Sequence, residues 1–388
     1  MPEILNLPFE QERAFDPIRL QDRSPVGDMQ AFPPSPHPYY IVAPPYTRQS
    51  AGIKALHILC HALNRAGYEA YVVVYPNHLG LGLGTNPDLL TPCLTAADLK
   101  RHRDHNLSPI VVYAETIKGN PFSAKTVVRY VLNFPGLLGG DAAYPADEII
   151  FGYSRVLAEA GGAPDNVLFV PASDATVFTP IENQERSGTC FWAAKYVAVH
   201  NGELLPVTAH SVEITRERRD SQTIPEIVEL FRKSELFYTY ENTALALEAA
   251  MCLCPTVFLP TPWLTEVIAT KELGWDGFAW GTDPDEIARA KATVHLARQR
   301  YLTTYTKFWT DLSKFAQKTQ ARAAEDATYH PTFWKLRCSL ALRKLVGPWG
   351  RFLLAILQQT TTSLCRDGVS ITLRRIQRWP GKKLKQRS

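Results

Sequence analysis

Short apolar runs rich in β-branched and aromatic residues alternate along the chain with longer stretches whose apolar positions recur every three or four residues. The first run, YYIVAP (39–44), stops at Pro44–Pro45. In SAGIKALHILCHALNRAG, Ile53, Leu56, Cys60 and Leu63 fall at helical spacing, and Gly67 sits where a helix stops. YEAYVVVY (68–75) follows as a buried strand, so the order predicts a βαβ unit and a parallel sheet. PIVVYAE (109–115), EIIFGY (148–153) and NVLFVP (166–171) read as strands, and SAKTVVRYVLNF (123–134) as a helix. A second series opens at GTCFWAAKYV (188–197). It continues through strands at SVEIT (211–215), ELFYTYE (235–241) and PTVFLP (255–260), with helices at IPEIVELFRK (224–233) and NTALALEAAMC (242–252). One or two long helices are predicted over 285–318.

The expectation is an α/β protein with two successive doubly wound domains. An extended, Pro-rich N-terminal arm covers 1–36, the first domain 37–182 and the second 183–283. Long helices cover 284–320, and a tail 321–388.

Composition changes this picture in one place. Of 388 residues, 45% are apolar and 21% charged, which is ordinary for a globular chain of about two domains. The net charge of +4 is unevenly spread. Residues 331–388 carry 13 Lys and Arg against the single acid Asp367, leaving the rest at −8. The tail also mixes Trp334, Trp349, Phe333 and Phe352 with Arg337, Lys344 and Arg351. That combination suits an anionic membrane surface, whereas no nucleic-acid module is recognisable. Seven scattered cysteines do not form a secreted disulfide framework, and the first residues do not read as a signal peptide. A cytoplasmic protein, peripheral at the inner face of the plasma membrane, is expected.

In open α/β sheets ligands sit beyond the carboxyl ends of strands, where loops enter helix N-termini. Three such loops carry candidate chemistry. In YTRQSAGI (46–53), Ser50 and Gly52 precede or open a helix, and Gly52 lies where backbone approaches a ligand. In YAETIKGNP (113–121), Glu115 ends a strand as a base or hydroxyl ligand, with Lys118 and Asn120 in the loop after it. In YTYENTALALE (238–248), Asn242, Thr243 and Ala244 begin a helix whose amides and dipole suit a diphosphate, and Glu248 suits a ribose. Each has a plain alternative: a turn glycine, a solvated acid and an Asn-capped packing helix.

The segments SAGIKALHILCHALNRAGYEAYVV, VVYAETIKGNPFSAKTVVRYVLN and FYTYENTALALEAAMCLCPTV resemble nucleotide-sugar-dependent glycosyltransferases of the GT-B fold, especially bacterial enzymes that build capsular and lipopolysaccharide glycans. The resemblance covers about 39–290. It implies two Rossmann-like domains facing across a cleft, with the acceptor held mainly by the first and the nucleotide sugar by the second. It places Glu248 at the donor ribose, Thr243–Ala244 at the phosphates, Lys195 beside the diphosphate and Arg216 in the nucleobase loop. Gly52 matches the cleft loop, and Glu115 faces the acceptor. The implied reaction moves a sugar from a nucleoside diphosphate to a hydroxyl of a glycan, free or lipid-linked, with no metal cofactor. Tyr240 and Leu253 depart from the family pattern, where a first glutamate and a glycine usually stand. A nucleotide-sugar 2-epimerase of the same architecture, or a non-catalytic sugar-nucleotide-binding or scaffold protein, stays open as an alternative.

Other motifs read as structural. HLGLGLGTNP (78–87) has Thr85 where a dinucleotide fingerprint needs glycine. His57 and His61 are four apart, but Ile58 replaces the zinc-protease glutamate, and Cys252-x-Cys254 is too tight for zinc. Asp283, Pro284 and Glu286 read as a helix cap with its capping-box partner.

Overall fold

The computed structural model describes residues 37–47, 50–75, 84–181, 183–215 and 221–325. The N-terminal arm, most of the Gly-rich loop, Arg216 and the basic tail lie outside the described residues.

The first domain holds β1 (Tyr39–Ala43), α1 (Ala51–Arg65), β2 (Ala70–Val74), α2 (Ala96–Asp104), β3 (Ile110–Ala114), β4 (Thr126–Val131), β5 (Ile149–Gly152) and α3 (Arg155–Ala160). Its strands are fully parallel, in the order β2-β1-β3-β4-β5. The second domain holds β6 (Thr189–Trp192), α4 (Ala194–Ala198), β7 (Val212–Glu213), α5 (Ile224–Lys233), β8 (Leu236–Thr239), α6 (Ala244–Met251), β9 (Thr256–Phe258), α7 (Thr270–Leu273) and β10 (Phe278–Trp280). Its sheet is also parallel, ordered β10-β9-β8-β6-β7. Among the described residues these are two five-stranded sheets of the doubly wound kind, the GT-B architecture that the resemblance implies.

The closing helices join the two halves. After α8 (Pro284–Thr293) and one tight turn, α9 (Ala297–Glu325) runs on. Its first turns put Tyr301 and Tyr305 into the second domain's core, and its later turns put Phe308, Leu312 and Phe315 into the first. A single helix thus buries apolar surface in both domains and ties them together.

Several expectations are corrected. Residues 126–131 form β4, not a helix: Thr126, Val127, Val128 and Val131 are β-branched and every residue of the strand is buried, as in the middle of a parallel sheet. The run 166–171 is not a full strand; only Val167 bridges to Gly152, although Leu168, Phe169 and Val170 are buried. SVEIT contributes only Val212–Glu213 to the sheet. Asp283 caps α8 by accepting from the Asp285 and Glu286 amides, but Glu286 turns to Arg289 rather than back to the cap.

Candidate active site

A cavity of about 400 Å³ lies between the domains. Its first-domain wall is the start of α1 (Ser50 to Ile53), Leu132 and Asn133 after β4, and Tyr153 after β5. The facing wall comes from Trp192, Lys195, the stretch Glu241 to Ala244, and the loop before α7. Each of these ends a strand, follows the carboxyl end of one or opens a helix, as the crevice rule for such sheets requires.

The two walls each present a helix N-terminus. Ser50 caps α1, its hydroxyl accepting from the Ile53 amide at 3.4 Å. Thr243 caps α6, and its hydroxyl accepts from Leu245 N at 3.3 Å while its carbonyl takes Ala246 N. Among the described residues no protein group accepts from the amides of Thr243 and Ala244. Two dipoles and Lys195 therefore favour an anion in the cavity, and Glu241, whose Oε1 accepts from Lys195 N at 2.8 Å, opposes them.

Other expected site residues are placed differently. Asn242 lines the cavity, yet its side chain braces the far loop, donating to Glu266 O at 2.9 Å and accepting from Ile268 N at 3.1 Å. Gly52 lines it too, but a Cβ there would meet Leu132 only at 3.7 Å, so space does not demand glycine. Lys118 is exposed and Asn120 is spent on its own loop. Its amide oxygen accepts from Tyr113 Oη and Ala124 N, and its nitrogen donates to Ala124 O. Neither borders the cavity. Glu248 is buried on α6, accepts from Ser173 Oγ at 3.0 Å and lies 4.0 Å from Lys54 Nζ; it stands behind Ser173 rather than on the wall.

Glu115 does not project straight into the crevice. It is 3% exposed, and its Oε2 accepts from the Leu132 amide at 3.0 Å. Burial pushes its pKa up to about 7; the Leu132 amide and the charges of Lys195 and Arg129 resist that rise. A carboxyl poised there can hold or release a proton near neutral pH.

The residue sequence reasoning missed most plainly is Arg129. It is fully buried on β4 and paired through two nitrogens with Glu148, at 2.9 and 3.0 Å. It also donates to the carbonyls of Ile117 and Gly119, which fixes the loop after Glu115. Its guanidinium lies over the rings of Tyr113 and Tyr144. Asn133, Tyr153 and Ser173 were likewise not singled out. A correct strand at 126–131 would have flagged Asn133 as a strand-end residue.

The paired histidines and cysteines are engaged or buried within the fold. His57 Nε2 pairs with Pro44 O, His61 Nδ1 accepts from Leu90 N, and Cys252 and Cys254 are buried. Among the described residues no three His, Cys, Asp or Glu side chains converge as metal ligands, and no helix is long and apolar enough to cross a membrane. Tyr240 is a packing residue: its ring stacks on Tyr196 and its hydroxyl meets Thr208 and Leu205 N.

No family model and no curated protein matches the chain. Among solved structures it is similar in fold to the glycosyltransferase SnogD from Streptomyces nogalater, with TM-score 0.40, 13% identity, and 74% of this chain and 99% of that one covered. It is also similar to CalG4, the calicheamicin glycosyltransferase, with TM-score 0.36, 14% identity, and 76% and 100% covered.

Proposed function

We propose that the chain is a glycosyltransferase that moves a sugar from a nucleoside diphosphate to a hydroxyl of a growing cell-surface glycan. The observation that carries this reading is the convergence of the α1 and α6 N-termini and Lys195 on one interdomain cavity. In this reading the diphosphate lies against the Thr243 and Ala244 amides, with Lys195 as counter-charge. Departure of the nucleotide then draws on fixed dipoles and one ammonium rather than on a metal. Glu115 acts on the acceptor side as the base, and direct attack by the deprotonated hydroxyl inverts the anomeric carbon. Arg216 belongs to the loop beside the nucleobase. The basic segment 331–388 holds the enzyme at an anionic membrane, where a lipid-linked acceptor resides. A hexose is the expected sugar, and the inner face of the plasma membrane the expected location.

The test is a screen of nucleotide sugars, with and without lipid-linked acceptor, that follows release of the nucleoside diphosphate. Acceptor-dependent release supports the reading; no release from any donor counts against it. A second reading, a non-catalytic sugar-nucleotide-binding protein, is favoured by one observation: the Glu248 carboxylate is already engaged by Ser173. Tight nucleotide binding without turnover would select it.

A further inference from the structure

Ser173 has an unusual number of commitments for a small residue in a connecting segment. Its amide donates to Tyr301 Oη at 2.9 Å, and its carbonyl accepts from Tyr301 and Tyr305, at 2.8 and 3.1 Å. Both tyrosines come from α9, the helix that spans the two domains. Its hydroxyl donates to Glu248 Oε1 at 3.0 Å. Glu248 belongs to the second domain, and Lys54, 4.0 Å from the same oxygen, belongs to α1 of the first. Ser173 itself borders the cavity; Glu248 and Lys54 do not.

The chemistry of that hydroxyl follows from its partner. A carboxylate 2% exposed needs donors, and the serine proton supplies one. A hydroxyl has one proton and two lone pairs, so with the proton given to Glu248 only acceptor capacity is left. Among the described residues no protein group donates to Ser173 Oγ. Its backbone is pinned by two tyrosines, and the bond to Glu248 sets the rotamer of the hydroxyl. The result is a fixed acceptor on the wall of the cavity, held by a buried carboxylate whose charge is matched from the opposite domain.

We propose that Ser173 is the group that accepts a hydrogen bond from a sugar hydroxyl of the bound donor, with Glu248 as a positioning residue acting through it and Lys54 as its counter-charge from the other domain. This rests on the cavity being the nucleotide-sugar site. It changes how the donor is read. The carboxylate never touches the ligand, and hydroxyl recognition depends on the two domains being together, since Lys54 and Glu248 meet only across their boundary. The hydroxyl read this way belongs either to the ribose or to the transferred sugar.

The test is calorimetric titration of the full chain with UDP, GDP, ADP and CDP, their 2′-deoxy and 3′-deoxy forms, and UDP-glucose alongside its deoxyglucose forms. Wild type is expected to bind one hydroxyl-bearing ligand about tenfold more tightly than its deoxy partner. Discrimination on the ribose or on the hexose tells which sugar is read. Ser173→Ala and Glu248→Ala should abolish that ratio. Ser173→Thr, which keeps the hydroxyl, and Glu248→Gln, which keeps an acceptor for it, should retain most of it. Discrimination that persists undiminished in Ser173→Ala, or is absent from wild type, overturns the proposal while leaving nucleotide binding intact. Failure of every nucleotide to bind wild type removes the donor site itself, and the proposal with it. Thermal melts of each variant identify any that lost the ratio through unfolding, and Ser173→Thr then supplies the decision.

Discussion

The Leu132 amide donates to Glu115 Oε2 at 3.0 Å, tying the carboxyl ends of the neighbouring strands β3 and β4 together behind the cavity wall that Leu132 forms. This contact fixes the position of Glu115, a carboxyl just behind the cavity wall whose pKa burial raises to about 7. It also gives Glu115 a stability signature separate from any catalytic one.

Glu115→Gln should lower kcat by about 10²- to 10⁴-fold while leaving nucleotide affinity nearly unchanged. In wild type, kcat should rise with pH through about 7, because the base must lose its proton. A donor release assay across pH 5.5 to 8.5 checks both; a flat profile contradicts the base assignment.

The same group predicts a stability trend of definite sign. Its folded-state value, about 7, lies above the ordinary 4.5, so the folded chain holds the proton more tightly than the unfolded one. Stability is therefore lost as pH rises from about 4.5 through 7. Relative to wild type, Glu115→Gln should gain stability across that window, by at most about 3 kcal/mol above it. Denaturant titrations at pH 5 and pH 8.5 compare the two, and a pH-independent difference would show that the carboxyl is not held this way.

Arg129 is the structural counterpart of Glu115. Arg129→Ala leaves Glu148, whose side chain is only 5% exposed, without its partner and frees the Ile117 and Gly119 carbonyls. A loss of about 3–5 kcal/mol is expected. Arg129→Lys should rescue little, since one ammonium cannot replace a two-nitrogen fork and two carbonyl contacts together. Urea midpoints for the three proteins decide the point; a mild Arg129→Ala variant contradicts it.

The fold was largely legible because both series of strands are short, apolar and bounded by Pro or Gly. The error at 126–131 has a physical cause. Val127, Val128 and Val131 satisfy helical spacing as well as a strand buried on both faces, and Arg129 broke the apolar run that would have favoured the strand. Its partner Glu148 is 19 residues away, so only the fold shows why a charge is tolerated there. Along the cavity, Thr243 and Ser50 were legible because they open helices, whereas Lys195 came only with the resemblance. Ser173 was not, because its meaning comes from Glu248, 75 residues on, and from two tyrosines of a later helix.

Leu253 stands where the enzymes that the sequence resembles usually carry a glycine, and the backbone there is unusual. It takes a φ of 61° just past the end of α6, a region where glycine is at ease and a branched side chain is strained. Leu253→Gly should relieve about 1 kcal/mol of strain while giving up partial packing, for a net change within about 1 kcal/mol. Leu245→Ala, at a fully buried position of the same helix, should cost about 2–5 kcal/mol. Equal losses in the two variants would show that the backbone at 253 is not strained.

The most direct measurement of the central claim is calorimetric binding of nucleoside diphosphates to wild type and to Lys195→Ala. One nucleotide should bind wild type at a single site, and the variant should bind it about 10- to 100-fold more weakly through loss of a charge-assisted contact. No binding by wild type, or equal affinity in the two proteins, would contradict a diphosphate held between Lys195 and the start of α6.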